Sequence, residues 1–191
     1  MDSLVVAPPV RVPWLLRPML WIAKRLTGKD PLPGRLLAWF PKGAVGVGVF
    51  EGLAAGAPGD LDGRSLAAAR IVASAVAGCP FCLDMNAATW ARAGLTAEEL
   101  RALVELRREA WVGLGERPAL AARYAEALSA TPVSVSAELS SELARVFSAR
   151  EVVVLATTIA QVNFWSRFNQ GLGVPSAGFF DEAVCRLPAR S

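Results

Sequence analysis

The chain has 191 residues, with 20 Lys and Arg against 17 Asp and Glu, a net charge of +3 and no histidine. The basic residues are scattered, which excludes a nucleic-acid groove, and the missing histidine excludes His-based catalysis, Cys/His dyads and His-ligated zinc. Half the residues are apolar (53%) and mean hydropathy is +0.38, yet the longest uncharged run, Val152–Ser166, falls short of the ~20 residues that span a bilayer; buried surface between subunits of a homo-oligomer, with no membrane span, is the expectation.

In chain order, residues 1–12 read as an extended arm. Trp14–Leu26 carries apolar residues at helical spacing, with Arg17, Lys24 and Arg25 outside the stripe. Its basic residues are few for a membrane-surface helix, so packing on the chain's own core or on a neighbouring subunit is the preferred reading. Asp30-Pro31 opens a short helix through Phe40. The segment 43–56 holds five glycines without the strand-then-GxGxxG context of a nucleotide turn. Close helix packing beside a functional site is the better reading, with Phe50 and Glu51 in possible reach. Pro58-Gly59-Asp60 is a turn.

Two long apolar segments follow, Leu66–Ala77 and Leu83–Ala93, joined by Gly78-Cys79-Pro80-Phe81-Cys82. Gly94 ends the second, and Pro80 suits its first turn. Two cysteines three apart therefore sit where free backbone N–H groups and the helix dipole favour a thiolate. Thr96–Glu99 is a capping box opening a helix through Ala110, and Arg117–Ala130 is helical again. Thr131-Pro132 breaks the chain, Ser136 starts a helix through Phe147, and Ser148–Glu151 caps a long helix ending at Gly171. Asp181–Leu187 is a short terminal helix. No segment alternates with period two, so the fold class is all-α, divided into an arm and helix at 1–29 and a helical domain at 30–191.

An internal echo at an offset of 84 aligns Leu66–Asn86 with Arg150–Gln170, placing Cys82 on Ser166 and Ala67 on Glu151. It suggests a pseudo-repeated helical hairpin, with thiols kept in one copy. Three cysteines, and an N-terminus with Asp2 and prolines at 8, 9, 13 and 18 rather than a secretory signal, point to the cytoplasm. There a CxxC pair is more often catalytic or metal-binding than structural. Zinc is disfavoured, because the pair supplies two ligands where a structural site takes four. Cys185 reads as a bystander, and the six tryptophans as core and interface anchors.

The run Gly78–Asn86, continued by Arg92-Ala93-Gly94-Leu95 and a Glu-rich helix, resembles the carboxymuconolactone decarboxylase / alkylhydroperoxidase D-like family. Asn163–Pro175 looks like that family's second segment. The resemblance implies an AhpD-like helical bundle, assembled into trimers or hexamers, and no cofactor. It implies a peroxidase or oxidoreductase that reduces a small-molecule peroxide or disulfide and is recycled by a dithiol reductant protein. By position Cys82 is the peroxidatic candidate and Cys79 its resolving partner. Two family positions differ: the histidine after the second cysteine is Asn86, and the glutamate before the first is Ala67. Asn86 cannot act as a base near neutral pH; Glu151 is a possible substitute for the glutamate. The decarboxylase branch depends on a histidine, so its chemistry is disfavoured. The alternative is a catalytically degenerate member acting as a small-molecule-binding or scaffold protein. Arg167 and Asn163 are candidates to line a pocket or an interface, against a role in helix-end hydrogen bonding.

Overall fold

The computed structural model describes residues 4–54 and 59–179, so Cys185 and the terminal helix at 181–187 lie outside the described residues. Among the described residues every regular element is helical. A 3-10 turn at Trp14–Leu16 leads into α1 (Arg17–Thr27), α2 (Leu32–Leu37), α3 (Pro41–Ala54), α4 (Gly63–Ala77), α5 (Pro80–Ala87), α6 (Ala97–Val104), a second 3-10 segment (Arg108–Leu114), α7 (Glu116–Ser129), α8 (Ala137–Val146) and α9 (Ala149–Gly171). No described helix is long and apolar enough to cross a membrane.

α4 is the axis. The Asp62 carboxylate accepts from the Ser65 N–H to cap its start, and Gly78, at φ 65°, ends it in the left-handed conformation. Ala67, Ala68, Ala69, Ala73 and Ala75 are buried along it, facing α7, which buries Ala121, Ala122 and Ala125. Small side chains on both helices allow close approach, and Ile71, Val72, Leu155 and Ile159 fill the remaining space at no measurable exposure. α9 starts from the expected capping box, Ser148 with Glu151, and packs on α4 and α5.

Three sequence expectations change. The helix from Thr96 stops at Val104, because Leu106 takes a left-handed φ of 56° ahead of the 3-10 segment at Arg108. α5 ends at Ala87, and the chain to Gly94 is a series of turns. The second copy of the echo has no turn: α9 runs unbroken through Asn163–Gln170, so its polar residues lie on helix faces rather than in a hairpin loop. The two aligned stretches nevertheless pack against each other.

The glycine-rich segment is the helix α3. A β-carbon at Gly48 would come within 2.3 Å of Met19 Sδ, so this glycine lets α1 lie close, whereas nothing stands within 4 Å of such a carbon at Gly46 or Gly52. The tight approach therefore holds for one face of α3 only. α1 itself has no buried residue; Trp21 and Leu26 are exposed, as are Phe50 and Leu53 on α3.

Candidate active site

Cys79 is the N-cap of α5, with its backbone extended (φ −90°, ψ 110°) and its sulfur accepting from the Cys82 backbone N–H at 3.3 Å. Pro80 at the first helical position gives up no hydrogen bond there. One helical turn on, Cys82 Sγ lies 2.9 Å from Cys79 Sγ, in hydrogen-bond contact. Both cysteines are free, and each is only 1% exposed.

This geometry separates the two thiols electrostatically. The hydrogen bond from the Cys82 thiol, opposed by burial but joined by the Cys82 and Phe81 backbone N–H groups and by Ser166, lowers the Cys79 pKa to about 7. Cys82 moves the other way: donating to Cys79, burial and the Cys79 charge push its thiol well above the usual range. Of the two thiols, Cys79 is therefore the first to lose its proton as pH rises.

α9 supplies the opposite wall. Ser166, which the echo aligns with Cys82, lies beside both sulfurs and lowers the pKa of each. Its hydroxyl, fully buried, meets no hydrogen-bond partner in good geometry. One turn further, Asn169 Nδ2 lies 3.5 Å from Cys82 Sγ, while its Oδ1 is buried without a partner among the described residues. Gln161, Ser166 and Asn169 are all buried polar residues on this helix.

The predicted accessory residues lie elsewhere. Asn86 is buried but turns to α4, donating to Ser74 Oγ at 2.9 Å. Glu151 is a correction: it accepts from Ser148 in the capping box and pairs with Arg117. It precedes Ser166 on α9 by fifteen residues, about 23 Å along the axis at 1.5 Å per residue, and cannot stand in for a glutamate at the thiols. Asn163 donates to Ser129 and Arg167 to Thr131, tying α9 to the end of α7; this is the structural role rather than the pocket role. Asp84 accepts from Ser176 Oγ at 2.8 Å and the Ala177 N–H at 2.9 Å, pinning the segment after α9 across α5. That segment covers the thiols: Val174 is buried with Leu36 and Phe81 against Cys79 and Cys82, and Phe179 meets the Phe81 ring edge-on at 5.9 Å.

Next to the thiols, α1, α2 and α3 enclose a cavity of about 430 Å³ whose inner wall is Phe81, Met85, Trp165 and Asn169. Glu51 lines it, as the glycine-rich segment suggested it could. Its Oε1 accepts from Gln161 Nε2 and Trp165 Nε1, both at 2.6 Å. Glu51 was legible only as a residue in reach; Ser166 had the echo as its signal, and Asn169 had none beyond its place in the family-like segment. Among the described residues, no group of three or more His, Cys, Asp or Glu comes together to hold a metal ion.

With this geometry in place, the chain can be set beside known proteins. The sequence profile of the carboxymuconolactone decarboxylase family matches residues 47–129, from α3 through the two cysteines to α7. The uncharacterized protein YnjA of Escherichia coli (strain K12) is 32% identical over 186 residues, covering 96% of this chain and 97% of YnjA. In fold, the chain is similar to the debrominase Bmp8, solved as a Cys-to-Ala variant in complex with 2,3,4-tribromopyrrole: TM-score 0.78, 22% identity, 95% of this chain and 96% of that one. A protein of unknown function from Agrobacterium tumefaciens, suggested to be an AhpD antioxidant defence protein, matches less of it: TM-score 0.55, 20% identity, 73% of this chain and 94% of that one. The all-α architecture is thus shared with Bmp8 and AhpD-like folds, and the chain belongs to the carboxymuconolactone decarboxylase family.

Proposed function

We propose that the protein is a dithiol oxidoreductase that delivers two electrons from Cys79 and Cys82 to a small molecule. The observation that carries this reading is the 2.9 Å contact between the two sulfurs at the start of α5, where the Cys79 pKa is lowered. A low-pKa thiolate is the nucleophilic form of cysteine, and a second thiol in contact is placed to close a disulfide.

With a hydroperoxide the steps balance as follows. Cys79 thiolate attacks the outer peroxide oxygen and breaks the O–O bond. This forms a sulfenic acid on Cys79 and releases an alkoxide, which takes up a proton to become the alcohol. Cys82 sulfur then attacks Cys79 sulfur, forming the disulfide and releasing water. Net, dithiol and hydroperoxide give disulfide, alcohol and water, and a dithiol reductant protein returns the pair to thiols by exchange. A disulfide substrate follows the same course, with a thiol as leaving group.

These roles reverse those carried over by position, which made Cys82 the attacker. In that arrangement a histidine assists the second cysteine. Here Asn86 takes its place and faces Ser74, so nothing lowers the Cys82 pKa enough to offset burial and its neighbour.

The apolar cavity beside the thiols favours a second reading of the same chemistry. Bmp8, a debrominase, shares this fold over 95% of the chain. A thiolate that attacks a ring-bound bromine would form an S–Br bond and leave a ring carbanion, which is protonated. The second thiol then displaces bromide to give the disulfide. Both readings need both cysteines. The exposed apolar residues of α1 and α3 support a homo-oligomer as the assembled form, and the family resemblance implies a trimer or hexamer.

The test is steady-state consumption of cumene hydroperoxide and of 2,3,4-tribromopyrrole with excess dithiothreitol. Turnover of either that disappears in Cys79→Ser and in Cys82→Ser supports the reading. Turnover of neither, or turnover that survives one of these changes, contradicts it and leaves the binding or scaffold alternative.

A further inference from the structure

The cavity beside α1–α3 carries polar groups at its inner end, Glu51 held by Gln161 and Trp165, with Asn169 beside them. Its walls are apolar side chains such as Leu20, Ile22, Leu37 and Val47, and its lining includes two carboxylates, Asp30 and Glu51, and no Lys or Arg. Asp30 is exposed and already paired with Arg35. Glu51 is different. Both of its neutral donors, Gln161 and Trp165, converge on Oε1, and Oε2 receives no hydrogen bond among the described residues. Glu51 is itself half-buried rather than sealed in the core. Arg70, half-buried nearby, feels the Glu51 charge. A carboxylate fixed by two side chains, with one oxygen left open at the end of an apolar cavity, is an acceptor waiting for a donor.

We propose that this cavity is the substrate pocket and that Glu51 is its anchor: it takes a one- or two-ring apolar molecule bearing an N–H or O–H donor and rejects carboxylates. The inference rests on the reading that the thiols act on a small molecule, and it adds which molecules. Size follows from volume: about 150 Å³ suffices for benzene, so 430 Å³ holds two fused rings. Polarity follows from the lining, because an anion would meet two carboxylates and no base. Orientation follows from position. Trp165 joins Glu51 to the wall shared with Asn169, and Asn169 touches Cys82. A ring held by its donor at Glu51 therefore lies on the cavity side of Asn169, one side chain from Cys82.

Binding of redox-inert probes to the reduced protein tests the pocket apart from the chemistry. Indole, 1-methylindole and indole-3-carboxylate share a shape and differ in donor and charge; their affinities are read by ligand-observed NMR titration. A hydrogen bond to a charged acceptor predicts that indole binds about tenfold or more tightly than 1-methylindole, and that indole-3-carboxylate binds more weakly than indole. In Glu51→Gln the amide oxygen can still accept from Gln161 and Trp165, while its NH2 faces the ligand. The indole advantage then collapses, the carboxylate penalty shrinks, and unchanged 1-methylindole affinity shows the pocket is intact. Equal binding of indole and 1-methylindole to the wild type, discrimination that survives in Glu51→Gln, or no binding by any probe overturns the proposal. Loss of thiol turnover with probe binding preserved would instead count against the dithiol reading alone.

Discussion

Replacing Cys82 by alanine removes the strongest influence on Cys79. The Cys82 thiol is the first cause of the lowered Cys79 pKa, ahead of the backbone donors. Without it, burial becomes the largest influence, opposed by the Cys82 and Phe81 N–H groups and by Ser166. The Cys79 midpoint should therefore move from about 7 to the ordinary thiol value of about 8.5 or above. That is about 2 kcal/mol less stabilisation of the thiolate at 1.36 kcal/mol per pKa unit. At pH 7 the thiolate fraction falls from about one half to about 3%, so alkylation of Cys79 slows about fifteenfold. Iodoacetamide rates against pH, with each cysteine mapped by peptide mass, read this midpoint independently of the slow absolute rate of a buried thiol. Cys82→Ser, which keeps a hydroxyl donor, should hold the midpoint closer to the wild type. An unchanged midpoint in Cys82→Ala would refute the reasoning, since the helix start alone would then carry the shift.

The same ionisation links to stability. Cys79 has a lower pKa in the fold than in the unfolded chain, so its contribution is full above about 8.5 and is lost as pH falls through about 7. Urea midpoints of wild type minus those of Cys79→Ser should shrink over that window on acidification; a difference that grows would contradict the assignment. Asp84→Ala removes the acceptor for Ser176 and Ala177 and should loosen the cover over the thiols. Alkylation at Cys79 then speeds up at every pH with the midpoint unmoved, and a rate no faster than wild type would show that the segment after α9 does not control access. Asn86→Ala strands Ser74 from its donor and should cost about 1 kcal/mol in denaturant unfolding while leaving the Cys79 midpoint in place. A shifted midpoint would restore Asn86 to the site. Glu151→Ala should likewise lower stability by about 1 kcal/mol through the lost cap and leave thiol reactivity untouched.

The parts of this fold that local chemistry dictates were legible in the sequence. Thr96, Ser136 and Ser148 cap the helices they precede, and Pro80 opens α5; the Asp62 and Gly78 caps of α4 were found only in the structure. The CxxC at a helix start followed from those signals. What depended on packing was not legible. Ser166 and Asn169 are one turn apart on α9, and only the docking of that helix on α5 turns both toward the sulfurs. The helix through Gly171 was legible, but which of its polar residues are buried was not. Glu51 is 110 residues from Gln161 in the chain, and the short bond between them exists only because α3 crosses α9. Glu151 shows the converse. Its echo position suggested the thiols, but its local capping geometry decided its place.

The central claim is that Cys79 and Cys82 act together as a two-electron donor. Stoichiometric oxidation of the reduced protein, read by intact mass and then by peptide mapping, tests it most directly. The account predicts that one equivalent of cumene hydroperoxide or of 2,3,4-tribromopyrrole removes two hydrogens from the protein, all of them as a Cys79–Cys82 disulfide that dithiothreitol reverses. Two thiols that remain reduced under excess of both oxidants, or a single cysteine driven to sulfinic acid with no disulfide formed, would contradict it.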